Sequence, residues 1–165
     1  MPELISLTGR ETESWQRGQG IQLGSGLSVE VLHPAANSLE SHAEDRALVL
    51  LFRAGNETLL WAGRIGLATR QDLLATHPGL HADVLVMGTE PPPDEDWLRS
   101  LQVRHWLQIP PRDPLLNSTD AATVPDFCQV WPLNQTGAVD IHFHSAQVNE
   151  PPEILLQPWL TLPAK

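Results

Sequence analysis

The chain has 165 residues, 41% of them hydrophobic and 18% charged, which suits one domain with its own core and excludes a disordered segment. Ten basic residues stand against twenty acidic ones, a formal net charge of −10. Non-specific nucleic-acid affinity comes mainly from Lys and Arg neutralising phosphates, so direct nucleic-acid binding by this chain alone is disfavoured, the more so because its one lysine is Lys165.

Residues 1–20 have weak periodicity and read as a linker or lead-in, with a single domain over 21–165. Ile21 to Leu23, a Gly24-Ser25-Gly26 turn and Leu27 to His33 predict a hairpin, Leu27, Val29 and Val31 sharing one face. Pro34 ends the second arm, because proline cannot donate to a sheet ladder. After a polar loop come Ala47–Phe52 and Thr58–Ala62, joined by the turn-tolerant Ala54-Gly55-Asn56-Glu57. Runs this apolar predict strands covered on both faces, as in a sheet with helices on each side.

Residues 66–76 predict a helix, with Thr69 and Asp72 spaced as a capping box and Pro78-Gly79 as the stop. Ala82–Met87 predicts a buried parallel strand. Asp94 then caps a helix carrying Trp97, Leu98 and Leu101, and His105–Ile109 forms the next strand. Two late strands follow, Cys128–Pro132 and Ala138–His144, with a turn at Thr136-Gly137. Ile154–Leu162 adds an edge strand interrupted by Pro158. The order is hairpins, then β-α-β-α-β, then more β: an α/β chain with a mixed sheet and flanking helices.

No apolar run approaches the roughly 18 residues of a membrane helix, and the polar stretch Met1–Ser14 does not have the form of a signal peptide. The chain is therefore expected to be soluble by itself. Cys128 stands alone, which excludes an intrachain disulfide and any cysteine-built zinc site. Its apolar setting predicts an inert thiol. No G-x-S-x-G elbow, P-loop or G-x-G-x-x-G is present.

Two phrases within this order carry a resemblance: Val31-Leu32-His33-Pro34, and Ala82-Asp83-Val84-Leu85-Val86-Met87-Gly88-Thr89. With Trp61-Ala62-Gly63-Arg64 between them and Gly137 opening the last hairpin, residues 19–145 resemble the second half of the metallo-β-lactamase-like domain of ComEC-type DNA-uptake proteins. The resemblance implies half of an αββα sandwich, with one sheet face left for a partner domain or a second copy. It also implies an extracytoplasmic part of a membrane-embedded parent protein. The family places a metal-bridging aspartate where this chain has Arg64, and paired histidines where it has Gly88 and Thr89. The family's upstream HxHxDH motif has no counterpart here. Arg64 would set a cation beside the metal ions; two unit charges 4 Å apart interact by about 4 kcal/mol at an effective dielectric near 20. The implied role is structural or interactive, without catalysis or cofactor.

Seven histidines offer another chemistry. His142 and His144 share one face of a strand with Asp140, and together they would form a rebuilt zinc or manganese site, the basis of a metal-dependent hydrolase. The competing reading is an exposed strand face without a ligand. His77 and His81 flank a helix end, where the helix dipole alone favours them. His33 reads as structural, and His105 lies beside Arg104. The acidic, proline-rich run Glu90–Asp96 is either a partner-binding edge or a solvated loop whose carboxylates cap the next helix. Trp61, Trp97 and Trp106 are expected in the core; Trp15, Trp131 and Trp159 are expected half-exposed.

Overall fold

The computed structural model describes residues 15–24, 26–35, 47–88, 92–111, 125–143 and 154–158. The expected sites Thr89 and His144, the lead-in before residue 15, and Trp159 lie outside them.

The two N-terminal hairpins form as the turn chemistry predicts. Strand β1 (Gly20–Leu23) pairs antiparallel with β2 (Leu27–His33), and β2 with β3 (Val49–Ala54). Strand β3 then turns through Gly55, at φ 61°, into β4 (Glu57–Gly63). From β4 onward every addition is parallel: β5 (Val84–Gly88), β6 (His105–Ile109) and β7 (Gln129–Pro132). The seven strands lie side by side in chain order.

The first two parallel steps, β4 to β5 and β5 to β6, are bridged by helices α1 (Leu67–Thr76) and α2 (Glu95–Ser100). Both helices pack on the same sheet face, which corrects the expectation of helices on each side. The reason is topological. Parallel crossovers are right-handed, so successive ones advancing in one direction across a sheet land on one face. There Leu73, Trp97, Leu98 and Leu101 meet Leu51, Leu60, Leu85 and Trp106 in the main core.

The opposite face is covered differently. After β7 a single helical turn, α3 (Leu133–Thr136), replaces the simple turn expected at Thr136-Gly137. Gly137, at φ 70°, releases the chain into β8 (Val139–Phe143). Strand β9 (Ile154–Pro158) pairs antiparallel with β8 in a two-stranded ribbon separate from the main sheet. Val139, Ile141 and Phe143 pack with Leu156 onto Leu59, Val84, Val86 and Leu107. The face expected to be left open is therefore partly roofed by the chain's own ribbon.

Helix α1 starts one turn earlier than a Thr69 cap requires. Gly66 occupies its N-cap with no side-chain bond, Thr69 is buried inside the first turn, and Asp72 pairs with Arg17. The cap of α2 is as expected: Asp94 accepts from the Trp97 backbone N–H at 2.8 Å. The lead-in is stitched to β2 through Gly18 N–H to Val31 O at 2.9 Å and Arg17 Nε to Leu32 O at 2.8 Å.

Candidate functional site

In an open α/β sheet, ligands collect beyond the C-terminal ends of the parallel strands. Here those ends are Gly63 on β4, Gly88 on β5 and Ile109 on β6. The β4–β5 register shifts between Trp61 and Gly63, and Gly63 has φ 58°. This combination of a bulge and a left-handed residue re-aims the chain, and the Arg64 side chain passes over Gly88. A Cβ on Gly88 would stand 2.9 Å from Arg64 Cγ and 3.3 Å from Arg64 Nη1. The guanidinium continues to β6, where Nη2 donates to the Pro110 carbonyl. One cationic side chain thus spans the ends of three strands, filling the space that a larger residue at 88 would need.

The N-terminal ends of the same strands are held by Asp83. Its carboxylate accepts from Thr58 N–H at 2.8 Å, from Thr58 Oγ1 at 3.1 Å and from Arg104 at 2.9 Å. Its backbone carbonyl accepts from the N–H groups of Arg104 and His105. Asp83 therefore clamps the starts of β4, β5 and β6, a structural duty at the edge opposite Arg64.

Asp140 and His142 are exposed on the outer side of the ribbon, alternating with the inward Val139, Ile141 and Phe143. Gln157 and Leu155 stand opposite them in the ladder. Among the described residues, no three His, Cys, Asp or Glu side chains converge as a metal group would need.

The remaining candidates have structural settings. His33 is buried at the end of β2. His77 is the C-cap of α1, its N–H bonded to Leu73 O at 3.0 Å. Burial lowers the His105 proton affinity, the neighbouring Arg104 lowers it further, and Asp83 opposes both. Burial raises the Cys128 thiol pKa, against a backbone hydrogen bond from Trp106. Pro92 and Asp94 of the acidic run are engaged, the first accepting from Arg70 Nη1 at 2.8 Å and the second capping α2.

Two side chains stand where sequence reasoning did not put them. Arg70 is a buried cation, 2% exposed, lying 5.6 Å over the Trp97 ring. Burial lowers its proton affinity and Asp94 partly restores it. Trp61, expected in the core, is 46% exposed. It lies on the ribbon side of β4 with Leu59, at the rim of a cleft between sheet and ribbon. Trp97 and Trp106 are in the core as expected, while Trp15 and Trp131 are half-buried.

Compared with family models, curated proteins and solved structures, the chain matches none of them. The class defined by its architecture is an α/β domain with a seven-stranded mixed sheet, two helices on one face and a β-ribbon on the other. No helix among the described residues is long and apolar enough to cross a membrane.

Proposed function

We propose that this chain is a non-catalytic, metallo-β-lactamase-like domain of a ComEC-like DNA-uptake protein, with a structural or interaction role. The observation that carries the reading is Arg64. It occupies the strand end where the resemblance asks for a metal-bridging carboxylate, and its stem covers Gly88, where the resemblance asks for an imidazole. A dinuclear hydrolase needs donors that neutralise two dications, and this arrangement supplies a cation instead. The partners in this reading are the rest of a membrane-embedded, extracytoplasmic parent protein or a second copy of the chain. The net charge of −10 argues against DNA as a direct ligand.

The test is the metal content of purified, tag-free protein by elemental mass spectrometry, after dialysis against zinc and manganese. The expected ratio is well below one ion per chain. About one or two tightly held ions per chain, the load of mono- and dinuclear hydrolases, would overturn the reading. Asp140, His142 and His144 would then be the first residues to replace. Deleting the chain from a naturally transformable host tests the biological half: DNA uptake should fall, and unchanged uptake counts against a competence role.

A further inference from the structure

Between the second sheet face and the ribbon lies a cleft of about 460 Å³, inside the range of about 300–1,000 Å³ typical of small-molecule sites. Phe52, Trp61, Val86 and Ile109 form its floor, and Ile141 and Phe143 its roof. The two faces of the sheet are closed to different degrees. Under the helices Leu60, Leu73 and Leu85 are fully buried. Under the ribbon Val139, Ile141 and Phe143 point at the sheet and are still only half-buried. The ribbon touches the sheet without sealing it, so apolar surface is left on both walls for a ligand to take out of water.

The walls define the chemistry of that ligand. No charged side chain lines the cleft among the described residues, and the one polar side-chain group there is the indole N–H of Trp61. The ribbon's own Asp140 and His142 lie on its outer side. A charged group drawn inside would lose its water without gaining a partner. The volume sets the size: a cavity of about 150 Å³ accommodates benzene, and this cleft is about three times larger. Phe52, Trp61 and Phe143 favour a ring as the body, since aromatic pairs gain beyond their buried area. A second copy of the chain fits less well. It would have to reach past the ribbon, and its own net charge of −10 opposes association.

We propose that the cleft binds a neutral, hydrocarbon-rich small molecule of two to three fused rings, entering past the 46% exposed Trp61 and lying between Trp61, Val86 and Phe143. This assignment is independent of the metal-free reading above, because it rests on the ribbon-covered face alone.

Fluorescence titration of the full chain with 1-aminoanthracene, a neutral three-ring probe, tests it, followed by displacement with benzene, naphthalene, phenanthrene and 2-naphthoate. The expected result is saturable one-to-one uptake, with displacing affinity rising at least about tenfold for each added ring. Naphthalene should outbind 2-naphthoate by at least about tenfold. Trp61→Ala should weaken the probe at least about fivefold, and Trp61→Phe should recover most of that loss. Leu67→Ser, at an exposed apolar position on α1, should leave binding unchanged. Uptake that does not saturate at one probe per chain, or equal affinity for naphthalene and 2-naphthoate, would overturn the proposal. So would equal loss in Leu67→Ser and Trp61→Ala, the mark of general adsorption to apolar surface. A dimer in sedimentation velocity with no probe uptake would assign the cleft to a second copy instead. The wild-type ligand series decides the matter even where a variant folds poorly.

Discussion

Replacing Asp83 by alanine should cost this protein more stability than any other single exposed-to-buried charge deletion at the strand starts. The side chain is 17% exposed, and Thr58, which donates to it twice, is 3% exposed. Leaving the Thr58 N–H buried without an acceptor costs about 1–3 kcal/mol. The Arg104 contact adds less than about 1 kcal/mol, because Arg104 is 54% exposed and solvent screens the pair. Asp83→Ala should therefore destabilise by about 2–4 kcal/mol. Asp83→Asn, which keeps an acceptor for the Thr58 N–H, should cost about half as much, and Arg104→Gln less than about 1 kcal/mol. Urea unfolding followed by circular dichroism reads these differences as midpoint shifts at constant slope. In thermal melts about 3 kcal/mol corresponds to roughly 6–12 °C for a chain of this size. The reasoning fails if Asp83→Ala stays within about 0.5 kcal/mol of wild type, or if Arg104→Gln costs as much as Asp83→Ala.

Other consequences can be checked on the same protein. Asp94→Ala removes the acceptor at the start of α2 and should cost about 1 kcal/mol, seen as a lower urea midpoint; Asp94→Ser should recover most of it. Cys128, with its thiol pKa raised by burial, should ignore an aromatic disulfide reagent near pH 8 in native buffer and react at once in denaturant; rapid native labelling would contradict its burial. The folded state lowers the His105 pKa, so the folded form prefers the neutral ring, able to accept the indole N–H of Trp131 at 3.5 Å through Nδ1. That contribution is fully present above the unfolded histidine value of about 6.5 and is lost as pH falls from there through the folded value. His105→Gln should flatten the decline of unfolding free energy between about pH 7 and 5; parallel curves for variant and wild type would exclude His105 as a source of the slope.

Local patterning made the strand and helix sequence legible, because each element carries its own signal. Period-two alternation marks β2, a three-residue turn with glycines precedes it, and Asp94 announces α2 before a run with Trp97 and Leu98. The faces were harder to read. Thr58–Ala62 is apolar almost throughout, so alternation could not show that Leu60 and Ala62 face the helices while Leu59 and Trp61 face the ribbon. The same continuity hid the exposure of Trp61. Placing both helices on one face depends on crossover handedness, a property of the assembled sheet that no single segment expresses. The capping box at Thr69 had the right spacing but lost to Gly66, because Thr69 is needed inside the buried turn. As for the site, Arg64 stood out against the carboxylate and imidazoles that the resemblance implies, but its reach to Pro110 did not. The cleft was not legible: its walls come from β3 to β6, α3 and β8, and only the folding back of the ribbon brings them together.

The agreement between chain order and strand order has a kinetic side. In the main sheet each strand's hydrogen-bonded neighbour is also its neighbour in sequence, from β1 through β7. No strand has to be inserted between two that already pair, and no early strand waits for a late one to complete it. Loop closure is required one step at a time, over short separations in the first hairpins and longer ones at the parallel crossovers. A nascent chain can therefore lay down this sheet from one edge as it emerges, with the three-strand meander of β1 to β3 ready as a template before β5 is synthesised. The ribbon, last of the described elements, roofs part of the second face only after the floor beneath it is complete.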